Sequence, residues 1–212
     1  MDLLERFVTL WVVIDPIGTI PVFIAVTTGM AAAARRKTAL LATAASMGVL
    51  LFFLLLGQLL IDALGISLLS FQVAGGIILF LFALTMIFGE SKADTDKRSV
   101  EAVGEGAGKD GPSPAIFPLA VPSLASPGAM LAIVLLTDNT QFSVVDQVLT
   151  GVVMVSVLGI ACVFMLLASP IIRVIGNSGA AIISRVMGMI LASVAADAVL
   201  SAIVEIVHSG SL

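Results

Sequence analysis

The sequence predicts an all-α, polytopic membrane protein of six spans, arranged as a 3+3 inverted-topology repeat in which spans 1 and 4 are broken. Three observations predict it: the number of membrane-length apolar stretches, the sidedness of the basic residues, and short motifs that recur at an offset of 111 or 112 residues.

Of 212 residues, 59% are hydrophobic and 11% charged, and mean hydropathy is +1.19, too apolar for a water-soluble domain of this length. About 20 apolar residues cross the hydrocarbon core as a helix. Six stretches reach that length, roughly 5–29, 38–63, 67–89, 115–137, 148–171 and 181–206. None alternates with the period of barrel strands, so all six are predicted helices. The start, Met1-Asp2-Leu3-Leu4-Glu5-Arg6, lacks the basic region of a cleavable signal, and its apolar run is too long for one. The first span is therefore expected to persist.

Span 1 is interrupted by Asp15-Pro16-Ile17-Gly18 and by Pro21. Proline removes one helix hydrogen bond and frees the carbonyl four residues earlier, so Pro16 would free that of Val12. Span 2 follows the basic run Arg35-Arg36-Lys37, and span 3 follows Leu64-Gly65. Residues 90–113 carry mixed charge among glycines and read as a cytoplasmic linker between a first half, 1–89, and a second, 114–212. Span 4 is interrupted by Pro122 and by Ser126-Pro127-Gly128, Pro127 freeing the carbonyl of Ser123. Span 5 contains Cys162, the sole cysteine, which excludes an intramolecular disulfide and reads as packing. Span 6 follows Ile175-Gly176.

Nine of the ten basic residues fall in connections on one side of such a six-span chain, and only Arg6 falls on the other. The positive-inside rule then puts both termini outside the cytoplasm, on the periplasmic or external side of the membrane. The halves also resemble each other. Leu64-Gly65 matches Ile175-Gly176 at 111 residues, and Gly76-Ile77-Ile78-Leu79 matches Gly188-Met189-Ile190-Leu191 at 112. With three spans per half, the second copy enters the membrane from the opposite side. Paired breaks in two inverted halves point to a transporter's substrate site.

A carboxylate inside a span costs ~3 kcal/mol on insertion scales, so Asp15 is expected to face a cavity. It could bind a substrate ammonium, a sodium ion or a proton, and it could equally cap the half-helix that follows. Asp197 lies ~24 Å along its helix from Ala181, where it is either a proton or ion site or an interfacial residue. Gly18 and Thr19, with Gly128 and Ala129, leave the backbone open to a small ligand and make an anion-accepting helix N-terminus possible. The candidate substrate-binding set is Asp15, Pro16, Gly18, Thr19, Gln72, Ser126, Pro127 and Gly128, with Asp15 and Asp197 as candidate coupling groups. Thr27, Thr28, Thr137 and Asn139 stand at segment ends, where solvent contact accounts for them. Gly75, Gly76, Gly188, Ala192 and Ala196 fit close helix packing.

Catalysis finds little support, since His208 is the only histidine and no hydrolase, metalloprotease or phosphate-loop motif occurs. Neither a metal, a cofactor nor a nucleic-acid partner is expected.

Asp15-Pro16-Ile17-Gly18-Thr19-Ile20-Pro21-Val22-Phe23, residues 65–76 (GISLLSFQVAGG), Pro118-Leu119-Ala120-Val121-Pro122 with Ser126-Pro127-Gly128, and residues 185–191 (RVMGMIL) resemble, in this order, the MarC family of inner-membrane proteins. The family is named for an antibiotic-resistance locus, which is poor evidence for drug transport. Its archaeal SnatA relatives carry small neutral amino acids such as glycine and alanine, on a 3+3 inverted repeat with two broken helices. The resemblance implies that architecture and, more loosely, that substrate class. It also leads one to expect asparagine after the first-break glycine, where this chain has Thr19. The combined expectation is a secondary transporter of a small amino acid coupled to H+ or Na+. Drug or metabolite export, or a non-transporting stress-response or assembly role, are the alternatives, and the oligomeric state is not legible.

Overall fold

The structure, a computed structural model, describes residues 2–88, 113–139 and 141–209, and its described elements are all helices. In chain order they are α1 (Leu3–Ile14), α2 (Thr19–Val26), α3 (Ala32–Ala63), α4 (Leu68–Phe88), α5 (Ala115–Leu124), α6 (Pro127–Leu136), α7 (Val144–Leu166) and α8 (Ala168–Ser209). Five helical spans are long and apolar enough to cross a membrane, and the pair α5–α6, bent by 53°, makes a sixth when taken as one broken span. The linker predicted over 90–113 lies outside the described residues except for Ser113.

Local chemistry sets the boundaries. At the start of α1 the Glu5 carboxylate accepts from the Asp2 N–H (2.9 Å), one arm of a capping box. Asp15, at φ 51°, takes the left-handed conformation and ends α1. In α5, Phe117 and Val121 leave helical geometry for extended backbone, because each precedes a proline whose ring excludes the α region there. The peptide bonds before Pro118 and Pro122 are cis. α7 and residues 168–175 continue one another, with the Leu167 N–H still donating to the Val163 carbonyl (2.9 Å), so the fifth span runs on to the interruption at Gly176. Gly65 and Gly176, matched in sequence, share the positive φ that glycine adopts readily, 66° and 69°.

The α4–α8 pair is the most extensive helix contact. A Cβ at Gly76 would lie 2.6 Å from Val199 Cγ2 and 3.2 Å from the Ala195 carbonyl oxygen. At Gly188 it would lie 2.8 Å from Met86 Cβ, 3.1 Å from Ile87 Cγ1 and 3.2 Å from the Ala83 carbonyl oxygen. These contacts are reciprocal: the 112-residue offset that relates Gly76 to Gly188 also relates Ala83 to Ala195 and Ile87 to Val199. Gly188→Val is expected to destabilise the protein by about 1–3 kcal/mol through overpacking against backbone, read as a lowered melting temperature in detergent. An unchanged melting temperature would mean that the helices are not this closely apposed.

Candidate functional site

The first break positions two polar side chains, Asp15 and Thr19. Asp15 is 4% exposed, and its Oδ1 accepts from the Gly18 N–H at 2.9 Å. The carboxylate thus closes the turn that leads into α2, whose own N-cap position is Gly18, with no side-chain cap. The Thr19 hydroxyl, fully buried, donates to the Asp15 carbonyl (3.0 Å).

The second break answers it. Ser126 is the N-cap of α6, its Oγ accepting from the Ala129 N–H (3.1 Å), and the same hydroxyl donates to the Val13 carbonyl at 2.9 Å. Proline geometry pointed to the carbonyls of Val12 and Ser123, but the one reached across the breaks belongs to Val13. Chain direction already changes at Asp15, before Pro16. Thr19 Oγ1 lies 3.2 Å from Ser123 Oγ. Either hydroxyl can be the donor in that pair. Beneath them Ser46 of α3, also buried, donates to the Ala42 carbonyl (2.8 Å) and approaches that of Ala120 (3.4 Å). The breaks thus share one buried polar junction within the protein's apolar core.

Pro16 is buried beside Asp15 whereas Pro127, the first residue of α6, is exposed, and the glycines are more crowded than a ligand-open backbone requires. A Cβ on Gly18 would run into the Asp15 carboxylate, and one on Gly128 into the Leu79 side chain. Two candidates lie elsewhere. Gln72 donates from Nε2 to the Ala198 carbonyl (3.0 Å), tying α4 to α8. Asp197 is exposed on α8. Thr27 and Thr137 are not solvated chain ends either: both are buried, their hydroxyls satisfied by the carbonyls of Phe23 (2.6 Å) and Ile133 (2.7 Å).

Sequence reasoning missed Ser46, Ser123 and a second buried cluster. Arg6 of α1 is 0% exposed. Its Nη2 pairs with Asp146 Oδ1 of α7 (2.7 Å), and its Nη1 donates to the Asp146 carbonyl (2.7 Å) and to Thr150 Oγ1 (2.6 Å). The guanidinium carbon sits 5.0 Å above the centre of the Phe142 ring. A lone arginine within an apolar stretch was the available signal, because such a charge must find a partner in the protein.

Comparison with known proteins agrees with this architecture. Residues 2–207 match the family described as "MarC family integral membrane protein". Among similar chains is a UPF0056 membrane protein of Archaeoglobus fulgidus, 33% identical over 201 residues covering 94% of this chain and 91% of the relative. The UPF0056 membrane protein MJ1677 of Methanocaldococcus jannaschii is 31% identical over 93% of both chains. The UPF0056 membrane protein YhcE of Escherichia coli is 31% identical over 93% of this chain and 89% of its own. No solved structure matches. With nearly its whole length matched, the chain belongs to the MarC family of integral membrane proteins.

Proposed function

We propose that this chain is a secondary transporter of small neutral amino acids, coupled to H+ or Na+, that works by alternating access around its two broken spans. The observation that carries the reading is the buried junction in which Ser126 bonds the Val13 carbonyl and Thr19 meets Ser123. Non-helical backbone at membrane depth is tolerated where it is buried in protein or lines an aqueous path. Here two such interruptions, from different halves of the chain, converge on one point. The reciprocal Gly76 and Gly188 contacts support an inverted repeat as its framework.

The chemistry suits a zwitterion. The N–H groups opening α6 and α2 favour a carboxylate. Asp15 and the Val13 carbonyl favour an ammonium. Ser123, Ala125 and Ala129 keep the side chains at the second break small, which fits glycine or alanine better than a bulky drug. Transport would require the Ser126–Val13 and Thr19–Ser123 bonds to open and re-form, and no enzymatic step enters. The basic residues in the connections support both termini being external.

Purified protein in proteoliposomes is expected to show saturable, gradient-driven uptake of radiolabelled glycine or alanine. Asp15→Asn should reduce uptake at least about tenfold, the scale of losing a hydrogen bond to a charged group. Insertion should be unchanged, because the Asn oxygen can still accept from the Gly18 N–H. Absence of uptake of any small amino acid, or wild-type uptake by Asp15→Asn, would refute the reading.

A further inference from the structure

The junction of the two breaks meets α3 at Ser46, which approaches the Ala120 carbonyl. Ser46 stands between Arg35 and Gln58, ~17 Å along the helix from either. Both of these residues belong to polar clasps that join the ends of the antiparallel pair α3–α7. At one end Gln58 Oε1 accepts from the Asn139 N–H (2.8 Å) and Asn139 Oδ1 from Gln147 Nε2 (2.7 Å), next in sequence to the Arg6–Asp146 pair. At the opposite end Arg35 Nη2 donates to Ser169 Oγ (3.1 Å). The ends correspond: the 111-residue offset that separates the breaks also relates Arg35 to Asp146 and Gln58 to Ser169. Each end also sets a guanidinium over a phenylalanine ring, Arg6 on Phe142 and Arg35 at 5.7 Å from the centre of Phe23.

We propose that these two clasps are the gates on either side of the junction, opened in turn, and that the Arg6–Asp146 gate is held shut more firmly than the Arg35–Ser169 gate. The inference rests on the transport reading and adds to it the direction in which the resting protein opens. The inequality is one of bond chemistry. Arg6 makes three charge-assisted bonds of 2.6–2.7 Å, one of them to a carboxylate, whereas Arg35 bonds a neutral hydroxyl once. The firmer clasp is nonetheless built to open. Arg6 Nε is buried and has no hydrogen-bond partner among the described residues, and the Asp146 side chain is 40% exposed. A buried donor without a partner raises the free energy of the closed state, and water reaching it on opening returns that cost. Arg6 is the fourth residue of α1, so the guanidinium would open toward the end of the span and not into mid-span hydrocarbon.

The test reads sidedness. In the full chain with Cys162→Ala, Ser123→Cys places a thiol in the buried junction, and a membrane-impermeant methanethiosulfonate is added to one side or the other of sealed vesicles of known orientation. Labelling from the Arg35 side should be the faster. Asp146→Asn should raise the rate from the Arg6 side about tenfold, the scale of exchanging a charge-assisted hydrogen bond for a neutral one. It should lower the rate from the Arg35 side, because one equilibrium links the two openings. Arg35→Ala should do the reverse. Thr150→Val removes one Arg6 contact and keeps the carboxylate, so it should shift both rates as Asp146→Asn does by a smaller factor, and it carries the test if Asp146→Asn fails to insert. Rates that stay unchanged on both sides, or rise together, would overturn the proposal and leave the ion pair as a strut. Glycine and alanine uptake, measured on the same variants, separates the two readings. A reciprocal shift without uptake upholds the gates and refutes the substrate, while uptake with unmoved labelling refutes the gates alone.

Discussion

Asp146→Ala should lower stability, because it strips the fully buried Arg6 guanidinium of its carboxylate partner, although that carboxylate is itself 40% exposed. Arg6 is completely buried, and two of its polar contacts, to the Thr150 hydroxyl and the Asp146 carbonyl, survive the substitution. What disappears is the only carboxylate bonded to it among the described residues. Asp146 Oδ2 also accepts from the Ser143 N–H (3.2 Å) and hydroxyl (2.6 Å), so part of the loss is the capping box that starts α7. Ser143→Ala removes only the hydroxyl's share of that cap, its bonds to the Asp146 carboxylate and N–H. The double variant Arg6→Met, Asp146→Ala should recover part of the remainder, because it no longer leaves a buried guanidinium without its carboxylate. Denaturant titrations of the purified variants read all three effects. If Asp146→Ala is no worse than Ser143→Ala, the pair does not hold α1 to α7.

The contrast between Arg6 and the breaks shows what a single chain makes legible. Asp15-Pro16 and Ser126-Pro127 declare themselves, because proline inside an apolar run has only a few physical outcomes and each frees polar backbone. That the breaks belong together was readable from their 111-residue separation. Their actual linkage was not. Ser123 and Ser46 look like ordinary membrane-helix serines, which satisfy themselves on the preceding turn, as Ser46 does on Ala42. Back-bonding also explains why Thr27 and Thr137 could be buried without other polar partners. Arg6 and Asp146 are 140 residues apart, and no local pattern connects them. For Asp197, a span apolar on nearly every face left the side chain's direction unreadable until α8 was packed on α4.

The glycines divide in the same way. Gly76 and Gly188 were expected to serve close packing, and their neighbours show it. Gly18 and Gly128 were expected to leave space for a ligand, yet Asp15 and Leu79 occupy that space. Proximity to a break does not reveal which side chain folds back over it. Leucine at either position would therefore disturb packing as well as binding, and is a poor probe of the site.

A covalent link across the junction tests the central claim most directly. Thr19→Cys and Ser123→Cys, combined with Cys162→Ala, place two thiols where the native hydroxyl oxygens are 3.2 Å apart. If alternating access requires the two breaks to separate, oxidation should stop amino-acid uptake in proteoliposomes and reduction should restore it. Saturating substrate should slow the oxidation by holding the breaks apart. Uptake continuing at its reduced rate with the disulfide fully formed would contradict the account, and would leave the paired breaks as bends in two membrane helices.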